Sequence, residues 1–545
     1  MNTSILFVQP ALSLLTGFMA IAGAAGETKQ KLPYNVLVIA LDDLNDWVEP
    51  LDGNIQAITP NLKRLSESGT SFVNAHSAMA ICTPSRNSLL LGRHPIRLGF
   101  NTPNDVDRLC YQETGLGEYL PAHFKKNGYS TYGTGKIFHE GYCDNKQIPE
   151  SSLWTKWGLN HNFGPMFPFQ KADGEWVKAE FARPVVSAVW YHEIVPSDFN
   201  RNDCWGLTQY PGGKISDEAN TDWAIQTLKK HSGEQPFFMA CGLVAPHVPL
   251  VCPKEFFDLY DINQIEIPDV PENEMQDIPL LGKLFAWQQA PTFDVMRRFI
   301  ESEWKTGEEI NYDYWRKIVR AYLACTTYTD YQVGRLLDFL DNTPDPRDSN
   351  KKLIDTTVIV LFSDHGWHLG EKKHWHKQSL WEEATRVPFV WHVPGVTKKG
   401  GISREPVSLL DIYPTLSALC RLPSVEGMDG EDISKLLADT GSVLERNAVV
   451  STYYMNSHAI RSKNWRLIWY GDGTMELYDH QVDPGEHTNL VFNTEGQEKY
   501  QSIVKDHLSV LSRYQSVEVI PERISSLEWQ CKKSWGSSTP PDWLE

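Results

Sequence analysis

The chain is short of positive charge: its 545 residues carry 51 Lys and Arg against 69 Asp and Glu, for a formal net charge of −18 and a pI near 5.4. That balance excludes a surface built for nucleic acid, and it disfavours gripping any long polyanion along its length. Long hydrophobic runs are also missing, and beyond the N-terminus no stretch is long enough to span a bilayer. None of the nine cysteines (82, 110, 143, 204, 241, 252, 325, 420 and 531) forms a Cys-x-x-Cys pair, so a zinc-ribbon type of site is excluded. Internal repeats and low-complexity tracts are absent. With 41% hydrophobic residues and a mean hydropathy of −0.38, the chain reads as a soluble globular protein with room for one large core plus a second domain.

Residues 11–25 form an apolar run ending in small residues, which reads as a signal peptide over 1–25, cleaved near Ala24 or Ala25. No Lys or Arg precedes the run, which is atypical of such signals; as a membrane anchor it is too short. Export is therefore expected, to the periplasm or the medium, or to the lysosome if the source is an animal. Setting Cys82 aside, eight cysteines remain, which permits disulfides in an exported protein without fixing their pairing.

Two aliphatic runs far apart in the chain, Tyr34–Leu41 and Leu353–Phe362, read as buried parallel strands. The first ends in Asp42-Asp43 and the second in Ser363-Asp364-His365-Gly366. Adjacent carboxylates at the end of a core strand are costly unless a cation neutralises them, and open α/β sheets gather ligands at their strands' C-terminal ends. A solvated turn explains Asp42-Asp43 alone equally well, but two such strand ends could close one site. Pro236–Leu243 reads as a third strand, leading to Ala245-Pro246-His247-Val248-Pro249, where His247 is pinned between prolines. Ser130–Gly133 reads as a fourth, followed by Gly135-Lys136-Ile137-Phe138-His139. Lys136 and His139 can face one pocket there, although a surface or packing role fits the pair as well.

Helices are expected from Thr59, over 115–127, over 217–230 and over Tyr312–Leu340, the last with an apolar stripe through Tyr322, Cys325, Tyr328, Val333, Leu336 and Leu337. Residues 151–213 break the α/β rhythm with Trp154, Trp157, Trp176, Trp190 and Trp205, which can wall a pocket or pack over the core. The segment Leu369–Lys377 is the most basic one near a candidate site. From about 445 the pattern changes to short strands over 449–454, 458–462, 465–470 and 476–478, then a helix over 495–514. The expected fold class is α/β, with a large mostly parallel sheet flanked by helices and a smaller C-terminal antiparallel sheet plus helix.

The stretch Ile81-Cys82-Thr83-Pro84-Ser85-Arg86 through Gly92 organises the rest. Thr83 suits a helix N-cap, Pro84 the first helical position and Gly92 the residue past the end. Cys82 then lies just outside a helix N-terminus, where free amides and the helix dipole favour a thiolate, an alkoxide or a bound oxyanion, and Arg86 can reach back to add charge. A half-buried cysteine capping a core helix is the plainer alternative.

Cys82-Thr83-Pro84-Ser85-Arg86 matches the sulfatase signature Cys-x-Pro-x-Arg, and the leucine-rich turn to Gly92-Arg93 continues the match. From about Tyr34 to Leu490 the chain resembles type I, formylglycine-dependent sulfatases of the alkaline phosphatase superfamily. Gly135–His139, Pro236–Phe256, Tyr322–Leu337 and Ser363–Glu371 are most similar to the iduronate-2-sulfatase group. The resemblance implies a catalytic domain over 33–444 and a smaller C-terminal α+β domain over 445–545. It implies a sulfuric ester hydrolase in which a maturation enzyme oxidises Cys82 to formylglycine, the nucleophile. One Ca²⁺ is implied, held by Asp42, Asp43, Asp364 and His365 together with modified Cys82, His365 standing where many sulfatases have Asn. Arg86, Lys136, His247 and Lys377 fall where the family holds the nucleophile and the sulfate oxygens, His139 where it handles a proton, and Trp367 beside the metal loop as a substrate wall. The implied substrate is a sulfated oligosaccharide, cleaved of a terminal O-sulfate at the 2-position of a uronic acid; neither nucleic acid nor, after signal cleavage, membrane is a partner. A phosphoester or phosphonate hydrolase of the same superfamily, and a sulfated-glycan binder with unmodified Cys82, are the alternatives.

Overall fold

A computed structural model describes residues 32–51, 53–100, 117–160, 205–208, 215–248, 250–288, 312–454 and 456–514. The expected signal peptide, Trp176 and Trp190 of the aromatic loop, and the segment after 514 lie outside them.

Eight strands form the central sheet: β1 (Asn35–Asp42), β2 (Thr70–Phe72), β3 (Ser130–Gly135), β4 (Lys156–Asn160), β5 (Phe237–Pro246), β6 (Thr357–Ser363), β7 (Phe389–His392) and β8 (Gly401–Ser403). Their order across the sheet is β8-β2-β7-β6-β1-β5-β3-β4. Only β7 runs against the others, since its pairings with β6 and β2 are antiparallel and the remaining five are parallel. Strand β1 lies at the centre and is buried along its whole length. Its residues alternate between two cores: Val36, Val38 and Ala40 face one, Leu37, Ile39 and Leu41 the other. An unbroken aliphatic run is what a strand covered on both faces requires.

Helix α1 (Pro60–Ser68), α2 (Cys82–Leu91), α3 (Ser216–Lys229) and the long α4 (Tyr312–Asn342) flank this sheet. The apolar stripe expected on α4, from Tyr322 to Leu337, is buried throughout in the core under Leu37, Ile39 and Leu41. Beyond the sheet, β9 (Ala448–Tyr453), β10 (Ser457–Ser462), β11 (Trp465–Trp469) and β12 (Met475–Asp479) form an antiparallel meander. Val450, Ile460, Leu467 and Leu477 on one face of it pack on Val510 and Leu511 of α5 (Gln501–Leu511). Ala459, Ile468 and Tyr478 on the other face join the large core.

Several expectations are corrected. Residues Leu353–Thr356 form a 3₁₀ turn, so β6 begins only at Thr357. The helix expected over 115–127 is confined, among described residues, to Leu120–Lys126, with Pro121 in its first turn. The helix expected over 495–514 is two, Thr494–Lys499 and α5, broken at Tyr500, which leaves helical geometry at φ −103° and ψ 12°. Helix α2 starts at Cys82 with Ile81 as its N-cap, without a side-chain cap, so Thr83 lies inside the helix. Its end is as expected, with Gly92 left-handed at φ 64°. Trp154 is 2% exposed and packs 5.3 Å from Trp157, within the core. Cys82, Cys143, Cys241, Cys252, Cys325 and Cys420 are all buried free thiols.

Candidate active site

Register brings the site together. Leu41 pairs with Ser363 and Asp42 with Pro246, so the turns after β1, β6 and β5 emerge side by side. Strand β3 joins them because Gly135 and Gly242 let two backbones meet: a Cβ on Gly135 would lie 1.9 Å from Gly242 O, and one on Gly242 2.2 Å from Lys136 C. The Lys136 N–H then donates to Gly242 O at 3.1 Å, which sets the lysine beside the β1 turn.

The β1 turn carries strain where the chemistry is. Asp43 has φ 61°, a left-handed geometry that a non-glycine residue holds only when its surroundings impose it. They do so here: the Tyr322 hydroxyl of α4 donates to Asp43 O at 2.7 Å and accepts from Asn45 N at 2.9 Å. Leu44 N donates to Ser363 Oγ at 2.9 Å and Asp43 N to Asp364 Oδ1 at 3.3 Å. From α2, Ser85 Oγ donates to Asp364 O at 2.6 Å. On β5, Val244 N and Ala245 N each donate to Asp217 of α3 at 2.8 Å, fixing the approach to His247.

Cys82 lies at the focus of positive charge. Its Sγ is 2.9 Å from Lys377 Nζ, 3.6 Å from Lys136 Nζ and 3.3 Å from His365 Nε2. His139, half-buried, hydrogen-bonds it as well. Burial alone would raise the thiol, but Lys136, Lys377 and His365, helped by the His139 hydrogen bond, outweigh it and hold Cys82 well below its usual range. Whatever atom occupies this position is favoured as an anion. Arg86 does not reach back to the sulfur as expected. It spans the carboxylates behind it, with Nε 2.8 Å from Asp364 Oδ2 and Nη2 3.3 Å from Asp42 Oδ1.

Three carboxylates are fully buried here: Asp42, Asp43 and Asp364. Burial would raise Asp42, yet Lys136 overrides it with help from His247 and Arg86 and holds the group below the usual range. Lys377 Nζ lies 2.7 Å from Asp43 Oδ1. Asp43 Oδ2, shielded from solvent, has no hydrogen-bond partner among the described residues, and His247 Nε2 stands 3.6 Å away. His365 Nδ1 lies 3.1 Å from Gly366 O, and its Nε2 faces Cys82, Asp43 and Asp364. Asp42, Cys82, Asp364 and His365 each offer a ligand atom within 4.8 Å of the others, as do Asp42, Asp43, Cys82 and His247. An unsatisfied buried carboxylate oxygen amid a mainly oxygen donor set fits a hard divalent cation. A third such group, Glu382, His480 and Glu486, is already occupied by Arg461 and Arg466.

Asp42, Asp43, Cys82, Arg86, Lys136, His139, His247, Asp364, His365 and Lys377 are thus drawn to one place, but Trp367 differs in role. It is 2% exposed, T-shaped against His376 at 4.4 Å, with its ring 5.8 Å from the Lys377 ammonium. That distance is within cation–π reach of the lysine, and so deep a ring does not form the exposed substrate wall expected of it. Sequence reasoning missed Tyr322, Ser85 and Asp217 as braces. Tyr322 was read only as part of an apolar stripe, and a hydroxyl on a buried stripe is the one signal that it needed a partner.

A family model described as Sulfatase matches residues 34–421, and one described as N-sulphoglucosamine sulphohydrolase, C-terminal, matches 370–514. A protein named Sulfatase from Formosa agariphila is 33% identical over 474 residues, covering 86% of this chain and 85% of its own. Human iduronate 2-sulfatase is 30% identical over 423 residues, covering 71% and 69%. Among solved structures, one bound to its substrate D-glucosamine-2-N,6-O-disulfate superposes with a TM-score of 0.62 at 19% identity, over 92% of this chain and 98% of its own. The phosphonate monoester hydrolase of Silicibacter pomeroyi superposes with a TM-score of 0.65 at 18% identity, over 88% and 96%.

Proposed function

The chain belongs to the sulfatase family, and on that premise we propose that it removes a terminal O-sulfate from a sulfated oligosaccharide, at the 2-position of a uronic acid. The class of reaction, hydrolysis of a sulfuric ester of a sulfated sugar, follows from the family and its named members. The observation that carries the reading is the meeting of Cys82 with Lys377, Lys136 and His365 over the buried carboxylates of two strand ends. The similarity to iduronate 2-sulfatase supports the uronate, and the net charge of −18 supports action at a chain end, since an acidic surface repels a long polyanion while a recessed basic pocket accepts one terminal group.

Asp42, Asp43, Asp364 and His365 would hold a single Ca²⁺, whose charge would draw electron density from the ester oxygens. Formylglycine at position 82 would supply a hydrated aldehyde, whose one hydroxyl would be the nucleophile that displaces the sugar oxygen from sulfur and whose other would allow sulfate to be released afterwards. The chain's own groups do the remaining work. Lys377 and Lys136 lie within reach of the residue-82 side chain and stabilise negative charge gathering around it. Arg86 keeps Asp364 and Asp42 in place, and Asp42 in turn holds Lys136. His139, which hydrogen-bonds the residue-82 side chain, would handle the proton of the departing sugar oxygen, and His247, 13% exposed beside Asp43, would bind a sulfate oxygen. Export, maturation of Cys82 by a formylglycine-generating enzyme, and the division into a catalytic part and a smaller C-terminal part from about 445 belong to the same proposal.

The test is turnover of an aryl sulfate against the matching aryl phosphate, followed by defined oligosaccharides that differ only in sulfate position and terminal sugar. Preference for the aryl sulfate and for a terminal 2-O-sulfated uronate supports the reading. Preference for phosphate would favour the phosphoester or phosphonate alternative, binding without turnover a glycan-binding role, and release of internal sulfates with chain ends untouched would overturn the exo assignment.

A further inference from the structure

The loop that carries Lys377 is held in a backbone shape its residues resist. Four non-glycine residues within it have positive φ: Lys372 at 56°, Lys373 at 48°, His376 at 100° and Gln378 at 72°. Such geometry persists only where the surroundings over-determine it. On the near side a short hairpin does part of this, pairing His368 with His376 and Leu369 with Trp375, and His374 Nε2 lies 2.7 Å from Lys377 O. Gln378 N donates to Ala80 O at 3.1 Å, next to the Cys82 segment.

On the far side the grips come from the C-terminal sheet. Arg466 Nη1 of β11 donates to Leu380 O at 2.7 Å. Trp381 Nε1 donates to Glu476 Oε2 of β12 at 2.8 Å, and Glu382 N to Glu486 Oε2 at 2.9 Å. Arg466 also ion-pairs with Glu382 and, through Nε, with Glu486 Oε1 at 2.7 Å. Arg466 and Glu476 are both fully buried. Taking charges out of water contributes little net stability that apolar packing could not match.

We propose that Arg466 and Glu476 are positioning residues for sulfate-ester hydrolysis: they fix the Leu380–Glu382 end of the loop so that Lys377 Nζ stays beside Cys82 and Asp43. Neither touches the substrate; both act through Lys377, so the inference rests on the placing of Lys377 in the sulfate pocket above. Residues of the C-terminal sheet thereby complete a site whose other groups come from the large sheet and α2.

A double-mutant cycle on the full-length, metal-loaded enzyme tests this, with an aryl sulfate as probe. Arg466→Lys is expected to lower kcat/KM about tenfold or more, because small displacements of a reacting group are expensive. In a Lys377→Ala background the same change is expected to cost less than about threefold, since a group that works through the lysine has nothing left to position. Leu467→Ala, on the opposite face of β11 and buried against α5, serves as the stability control: it lowers the melting temperature but leaves kcat/KM within about threefold. Should Arg466→Lys fail to fold, Trp381→Phe, which keeps an aromatic side chain and removes the bond to Glu476, carries the same cycle. Losses that multiply in the double mutant, or a control as inactive as the clamp variant, would overturn the proposal. A wild-type enzyme inactive on sulfate esters would instead overturn the function proposed above.

Discussion

At the residue scale the account turns on what each buried charge faces. Cys82 opens α2, and its thiol faces two ammoniums and an imidazole while its backbone belongs to the helix. Cys82→Ala is therefore expected to abolish turnover while the protein still folds, because the contacts it deletes are with side chains of the site and not with backbone groups that hold the strands. Activity and a thermal melt on the same preparation check it. Asp364 is different, since it faces both the proposed cation and Arg86, with Oδ2 2.8 Å from Arg86 Nε. Asp364→Asn keeps the shape and removes the charge, so bound metal, measured by elemental analysis, and kcat are expected to fall together. Retention of full activity in metal-free protein would contradict this.

Elements place those residues, and their legibility in the sequence was uneven for physical reasons. The central strands could be read because burial on both faces demands an unbroken aliphatic run, and the acidic ends of β1 and β6 marked where ligands gather. The start of α2 could not: Thr83 has the right chemistry for a cap, but the chain before it is extended at Ile81, and tertiary contacts of Cys82 and Ser85 decide where the helix begins. The Lys377 loop was illegible beyond its charge, since positive φ at His376 and Gln378 has no composition signal when glycine is not used. Bracing across elements was equally hidden. The Tyr322 hydroxyl of α4 serves two backbone groups of the β1 turn, so Tyr322→Phe would leave a buried N–H and a buried C=O unmatched. A loss of about 1–3 kcal/mol in unfolding free energy is expected, with a fall in kcat/KM from the loosened Asp43. Denaturant unfolding together with steady-state kinetics would show it; an unchanged kcat/KM would mean that the turn holds its shape without α4.

On the scale of the whole molecule, a chain of net charge −18 buries Lys136, Lys377 and Arg86 together, each paired with Asp42, Asp43 or Asp364. Long-range repulsion is screened beyond about 8 Å at physiological ionic strength, whereas contacts inside the buried pocket are screened far less. Raising salt is therefore expected to speed hydrolysis of a sulfated polymer relative to a short oligosaccharide with the same terminal residue. The ratio of initial rates across a salt series measures it, and a ratio that falls as salt rises would argue that the protein grips the polymer along its length. No helix among the described residues is long and apolar enough to cross a membrane. The proposal turns on one claim, that the side chain at position 82, after oxidation, is the nucleophile of a sulfate-ester hydrolase. The mass of the peptide spanning Cys82 to Arg86, taken from fully active enzyme, tests that claim most directly. The account predicts formylglycine, with sulfur and two hydrogens exchanged for one oxygen; an intact cysteine in a fully active preparation would contradict it.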